Sequence, residues 1–320
     1  MAAPLVETVG LSKYFKTSGG GLLHAVEDVD LKIYPGRTLG VVGESGCGKS
    51  TLGRTVLRLQ MPSAGDVLFE GESILKYGRR RMKELHRDMQ MIFQDPYSSL
   101  DPRMSVYDLV AEPLRELGGR RTSRAELGEQ VLGIMEKCGL PRRYANSYPH
   151  ELDGGRRQRV GLARAMVVNP RFIVCDEPVS ALDVSIQAQI LNLLMDLQQE
   201  HGLAYMFITH DLCVVRHISD DIMVMYMGCV LEYAPKEELF KNPLHPYTRA
   251  LLSAIPTTDL SRRGRQRHML SGEVSSPVDP PAGCRFAPRC PYADEGCRAG
   301  VRLEEVSPGH LCACRRSREA

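Results

Sequence analysis

The residues GESGCGKST (43–51) set three glycines, a lysine and three hydroxyls directly behind an apolar run, TLGVV (38–42). The spacing fits G-x-x-x-x-G-K-[ST], and a preceding strand is the context that pattern requires. Gly43, Gly46 and Gly48, with Glu44, Ser45 and Cys47 between them, let successive backbone N–H groups point into one anion-binding hollow. Lys49 supplies charge to β and γ phosphates, and the hydroxyl of Ser50, next to Thr51, is a ligand for Mg²⁺. A second chemical element is FIVCDEP (172–178), an apolar strand that ends in two carboxylates. Asp176 is suited to the Mg²⁺ shell and Glu177 to polarising an attacking water.

A third element is ELDGGRRQR (151–159). Gly154 and Gly155 let a backbone approach something closely, and Arg156, Arg157 and Arg159 suggest that it is anionic. Asp153 stands against that reading, because its negative charge lies beside the same glycines. Last come the cysteines. Five of the ten (Cys47, Cys138, Cys175, Cys213, Cys229) are scattered and read as small core residues, while Cys284, Cys290, Cys297, Cys312 and Cys314 crowd the end. Without a secretory n-region and apolar h-region the expected compartment is reducing, so the terminal cluster reads as metal ligands rather than disulfides. Four thiolates suit tetrahedral Zn²⁺ or a [4Fe–4S] cube, and spacing alone leaves the two equal.

These groups need a scaffold. The chain has 320 residues, 43% hydrophobic and 25% charged, enough for one large domain with an appendage or for two domains. Lys plus Arg (41) nearly balances Asp plus Glu (39), which argues against a nucleic-acid partner. No apolar run approaches the ~20 residues that cross a bilayer, so any membrane role is expected to be peripheral. Alternation over 22–34 predicts half-buried strands, and the apolar runs at 38–44, 171–178 and 203–211 predict buried parallel strands. Residues 185–202 keep a helical period through Ile190, Leu191, Leu193, Leu194 and Leu197. Strands alternating with helices mean an α/β domain with ligands at the carboxyl ends of its strands. Residues from about 104 to 168 carry only helical patterns and read as an inserted helical subdomain. A hairpin is expected over 221–235. SRRGRQRH (261–268) and SSPVDPPAG (275–283) then read as a connector to the cysteine tail.

In that order and spacing, GESGCGKST, LDGGRRQR, CDEPVSALD and FITHD resemble the ATP-binding cassette family of transport ATPases, over roughly residues 5–255. The resemblance implies a P-loop ATPase cassette at 1–256, with an antiparallel β-subdomain and the inserted helical subdomain, and an extension at 257–320. It implies that two cassettes sandwich two ATPs head to tail. Gly43 to Thr51 would be the phosphate loop, and Gln94 of FQDP the glutamine that senses Mg²⁺ and the membrane partner. Asp176 would be the Mg²⁺ aspartate, Glu177 the catalytic glutamate and His210 the histidine on the γ-phosphate. Ser180 to Asp183 would join the two sites, and Tyr14 of LSKYF matches the aromatic that stacks on adenine.

NPLHPYTRALLSAIP (242–256) and QDPYSSLDPRMSV (94–106) resemble the oligopeptide/dipeptide importer ATPases. That implies peptide uptake on the cytoplasmic face of the cell membrane, with two integral permeases and, indirectly, an extracytoplasmic solute-binding protein. Nickel and glutathione importers share these segments. The same resemblance favours an iron–sulfur cluster on Cys284, Cys290, Cys297 and Cys314, with Cys312 exchangeable for Cys314 as fourth ligand. A soluble repair or translation ATPase would carry coiled-coil insertions or two fused cassettes, and a P-loop kinase or GTPase has no use for the paired glycines.

The family pattern at 152–156 is L-S-G-G-Q, whose serine and glycine amides grip the γ-phosphate of the opposite cassette's ATP. Here Asp153 replaces the serine and Arg156 the glutamine. A carboxylate ~4 Å from a phosphate oxygen costs roughly 4 kcal/mol at an effective dielectric near 20. The expectation is therefore a heterodimer with a second ATPase subunit, having one hydrolytic site and one weak site facing Asp153.

Overall fold

The computed structural model describes residues 3–117, 123–255 and 276–317. Its strands are β1 (Val6–Lys16), β2 (Leu22–Ile33), β3 (Thr38–Val42), β4 (Ala64–Phe69), β5 (Glu72–Ser73), β6 (Met89–Ile92), β7 (Phe172–Asp176), β8 (Ala204–Thr209), β9 (Asp221–Tyr226), β10 (Cys229–Pro235), β11 (Glu304–Ser307) and β12 (His310–Cys312). The helices are α1 (Lys49–Val56), α2 (Arg79–Asp88), α3 (Pro96–Ser99), α4 (Val106–Leu117), α5 (Arg124–Lys137), α6 (Gly154–Met166), α7 (Val184–His201), α8 (Leu212–Ile218), α9 (Lys236–Lys241) and α10 (Pro246–Ser253). The arginine-rich stretch 261–268 lies outside the described residues. Among the described residues no helix is long and apolar enough to cross a membrane.

The chain divides into two compact units. The first comprises Met1–Val6, Ile33–Arg37 and Leu68–Ile208. In it β6, β7 and β8 pair in parallel, with Met89 opposite Phe172 and Asp176 opposite Ile208. Every residue of β7 and β8 is buried, which is why both read as unbroken apolar runs rather than alternating ones. The described residues between β6 and β7 form helices and 3₁₀ turns only. Helix α5 opens with a capping box: Ser123 Oγ accepts from the Glu126 N–H at 3.2 Å, and the Glu126 carboxylate accepts from the Ser123 N–H at 2.9 Å. Helix α7 starts on Asp183 and stops on Gly202, whose φ of 64° is the left-handed cap. Its Ile190, Leu191, Leu194 and Leu197 are buried, each worth about 1.5–3 kcal/mol relative to exposure. Leu193, on the same apolar period, is only half-buried.

The second unit comprises Glu7–Lys32, Thr38–Val67 and Thr209–Ala320. Five of its strands run in the order β11-β12-β10-β9-β3, and β1 and β2 pair in a separate sheet. β3 and β9 are parallel, and β9 and β10 form the expected hairpin, with Cys229 opposite Tyr226. The cysteine tail is built into this sheet: β12 pairs antiparallel with β10, Glu232 opposite Cys312, and β11 pairs with β12. Phe286 of the tail is wholly buried in the same core as Val42, Ile222, Val224, Tyr226 and Tyr247.

A buried carboxylate anchors the tail. Glu232 is fully buried and accepts from the N–H groups of Leu244 at 2.7 Å and His245 at 2.9 Å, while His310 Nε2 lies 2.7 Å from it. Three partners offset the desolvation that such a group would otherwise suffer. His245 in turn accepts from the Tyr247 N–H through Nδ1 at 3.0 Å, capping α10. Burial pushes His245 down to about 4, so it stays neutral and able to accept. Among the scattered cysteines, Cys47, Cys138 and Cys175 are core residues as expected, but Cys213 is exposed on α8 and Cys229 is half-buried.

Candidate functional site

In the second unit β3 runs, fully buried, into the loop Gly43–Gly48, and α1 begins at Lys49. No side chain caps α1; its cap is Gly48 in left-handed backbone, φ 103°. A Cβ at Gly48 would stand 1.9 Å from the Ala25 carbonyl oxygen, so only glycine fits there. Lys49 is 4% exposed, and its Nζ is held by the carbonyls of Gly43 at 2.8 Å and Glu44 at 2.9 Å. The two carbonyls fix the ammonium within the loop, where an incoming phosphate would meet it, and the amide end of α1 adds to the attraction. Tyr14 lies half-buried in β1, with its hydroxyl donating to Glu27 at 2.8 Å and its ring 4.5 Å from that of His24. His210 follows β8 and is exposed, just before Asp211, which caps α8 through the Cys213 N–H at 2.7 Å.

In the first unit Asp176 is fully buried at the carboxyl end of β7. Glu177 comes next in left-handed backbone, φ 45°, its N–H donating to the Ile208 carbonyl at 2.9 Å. Gln94 Nε2 donates to the Glu177 carboxylate at 3.1 Å, so two residues 83 apart in sequence meet at one point. Ser180 Oγ donates to the Glu177 carbonyl at 3.1 Å. Asp183 caps α7, and the Ile186 amide, with the Ser185 hydroxyl, holds its carboxyl below the usual range.

The same unit carries ELDGGRRQR. Asp153 caps α6: its carboxylate accepts from the Arg156 N–H at 2.7 Å and from the Arg156 guanidinium at 2.6 Å. Aspartate is as good a cap as serine, so the substitution keeps the helix start and changes only the chemistry presented there. A Cβ on Gly155 would come within 2.7 Å of the Ile186 side chain, so this glycine serves close packing of α6 on α7. The arginines do not act as one anion-binding patch. Arg157 is buried, donating to the Pro149 carbonyl at 2.6 Å and stacking 3.7 Å from the Tyr97 ring. Arg159 ties the Cys138 carbonyl and Gln189, both at 3.1 Å. Only Arg156 remains beside the glycines, and it is paired with Asp153.

In the tail, Cys284, Cys290, Cys297 and Cys314 all line one cavity of about 230 Å³, whereas Cys312 sits in β12 and does not line it. Arg249, Arg315 and Arg316 share its walls. Burial pushes the thiols of Cys284, Cys290 and Cys314 up. Among the described residues no three His, Cys, Asp or Glu groups stand close enough together to hold a single ion.

Residues 26–180 match the family described as ABC transporter, and residues 231–297 match the oligopeptide/dipeptide transporter C-terminal region. The oligopeptide transport ATP-binding protein AppF of Bacillus subtilis is 46% identical over 97% of this chain and 96% of its own length. The chain belongs to the ABC transporter family. As an ABC ATPase it has another relative in the oligopeptide transport ATP-binding protein OppF of Haemophilus influenzae, 50% identical over 91% of this chain and 88% of that one. Among solved structures, the dimeric post-hydrolysis ATP-binding cassette MJ0796 bound to ADP and Pi matches with a TM-score of 0.67, at 29% identity over 72% of this chain and 98% of that one. This ABC subunit therefore has the α/β cassette fold of an ATPase.

Proposed function

We propose that this chain is the ATP-hydrolysing subunit of a peptide importer, seated peripherally on the cytoplasmic face of the cell membrane against two integral permeases, which an extracytoplasmic solute-binding protein supplies. Glu177 carries the reading. It is an acidic residue held in left-handed backbone at the end of a buried strand, with Gln94 on its carboxylate. Such a conformation costs on the order of 1–3 kcal/mol for a non-glycine residue and marks a place where position matters. The peptide assignment follows the relatives' names and the match of residues 231–297 to the peptide transporter region.

In this mechanism Lys49 and amides of the loop from Gly43 to Thr51, among them those of Ser45, Gly46 and Gly48, hold the phosphates, with the Glu44 N–H turned to the Tyr247 hydroxyl and the Cys47 N–H to the Glu44 carbonyl, while Tyr14 stacks on adenine. Ser50, Asp176 and Gln94 offer hard oxygen donors that suit Mg²⁺, which offsets charge on the β and γ phosphates when bound. Glu177 accepts the proton of the attacking water, and His210 orients the γ-phosphate.

The second ATP would face Asp153, Gly154 and Gly155 from an opposing subunit. Asp153 already accepts from the Arg156 backbone and guanidinium, so its oxygens serve as acceptors there rather than as a serine-like O–H donor to a phosphate. This supports a heterodimer with one hydrolytic site and one weak site.

The cysteines fit a [4Fe–4S] cluster better than Zn²⁺. One zinc ion needs four sulfurs at about 2.3 Å from a common centre, a closeness absent among the described residues, whereas the four cysteines line one cavity of about 230 Å³ with Arg249, Arg315 and Arg316. Cys284, Cys290, Cys297 and Cys314 would hold the cluster, which contributes structural linkage rather than a step in hydrolysis. Anaerobically purified protein is expected to contain about four iron and four sulfide per chain. Cys314→Ser should lose most of the iron, and Cys312→Ser should keep it. Stoichiometric zinc without iron contradicts the assignment, and iron loss in Cys312→Ser alone contradicts the choice of ligands.

A further inference from the structure

The C-terminal extension reaches the phosphate loop. Glu44 is the loop's second residue; its N–H donates to the Tyr247 hydroxyl at 3.0 Å, and its carboxylate accepts two bonds from Arg289, at 2.7 and 3.1 Å. Arg289 is 8% exposed and lies immediately before Cys290. The Glu44 carbonyl is also one of the two that aim Lys49. At the other end of the same segment Arg285 pairs with Glu27 at 2.9 Å, the carboxylate that accepts the Tyr14 hydroxyl. Phe286, between the two arginines, is locked against Tyr226 and Tyr247 at ring distances of 5.4 and 5.3 Å.

A carboxylate inside a phosphate loop repels the ligand that the loop exists to bind. A bidentate guanidinium cancels that charge and fixes the carboxylate's direction at the same time. We propose that Arg289 is a positioning residue for ATP binding: by neutralising and holding Glu44 it makes nucleotide affinity depend on the cysteine-rich extension. The inference rests on the ATPase reading above and adds a residue that none of the phosphate-binding motifs contains.

The test is equilibrium binding of Mg·ATP to the full chain in a Glu177→Gln background, where no turnover intervenes. Arg289→Gln is expected to weaken binding at least tenfold, because Glu44 is left as a bare negative charge. Adding Glu44→Gln to that variant should recover affinity to within about threefold of the parent, a recovery that mere structural damage at Arg289 would not permit. Arg289→Lys keeps the cation but not the bidentate fork and should fall between the parent and Arg289→Gln, while Arg298→Gln, an exposed arginine of the same tail, should stay within twofold. Unchanged affinity in Arg289→Gln, or a double variant no better than Arg289→Gln, overturns the proposal. Should Arg289→Gln not fold, Arg289→Met takes its place, alone and with Glu44→Gln, and the same two outcomes overturn the proposal. A parent chain that binds no ATP would overturn the ATPase reading itself, and this inference with it.

Discussion

Glu177→Gln is expected to bind ATP with near-parental affinity and to hydrolyse it at this chain's site about 10²- to 10⁴-fold more slowly. The substitution is isosteric and removes only the group that takes the proton from water. Glutamine also tolerates the left-handed backbone no worse than glutamate does, and Gln94 keeps a carbonyl oxygen to donate to. The fold and the phosphate loop should therefore be untouched, and a thermal melt should show this. Single-turnover hydrolysis in the assembled complex reads the rate. Parental turnover would remove Glu177 from the mechanism and leave the strained backbone without a function.

The second large effect concerns Asp153. With this chain's own site silenced by Glu177→Gln, the proposed heterodimer assigns residual hydrolysis to the partner's ATP, which would face Asp153. Adding Asp153→Ser should raise that residual rate at least about tenfold. It removes a carboxylate side chain and restores an O–H donor, and single donors of this type contribute on the order of 10²-fold in other active sites. The helix start is retained, since serine caps as aspartate does, and Arg156 is released from its pair. The parental complex should retain one fast and one slow ATP per dimer. Two equivalent fast sites in a dimer of this chain alone would defeat the asymmetry.

Much of this was legible in the sequence because each element obeys a local rule. The phosphate loop follows from glycine spacing behind a buried strand, β7 and β8 from unbroken apolar runs, and the β9–β10 hairpin falls where one is expected over 221–235. Long-range partners were not legible. Arg157 and Arg159 look like anion ligands beside two glycines, yet a buried carbonyl and an aromatic ring claim the first and a helix end the second. The tail reads as an appendage because EEVS and HLC are too short to announce strands; pairing of HLC with β10 and of EEVS with HLC makes them so. Cys213 resembles its buried counterparts in composition and differs only in facing outward on α8. The contact between Glu44 and Arg289 spans 245 residues, and no spacing rule reaches that far.

The central claim, that ATP hydrolysis at Glu177 drives peptide uptake, is tested most directly by transport. The complex of this chain, its partner ATPase and the two permeases would be placed in liposomes, with labelled peptide and binding protein on the outer side and Mg·ATP on the ATPase side. Peptide should accumulate with ATP, stall with a non-hydrolysable analogue, and fall to background in Glu177→Gln. Accumulation at the parental rate in Glu177→Gln, or hydrolysis with no peptide movement in the parent, would contradict it.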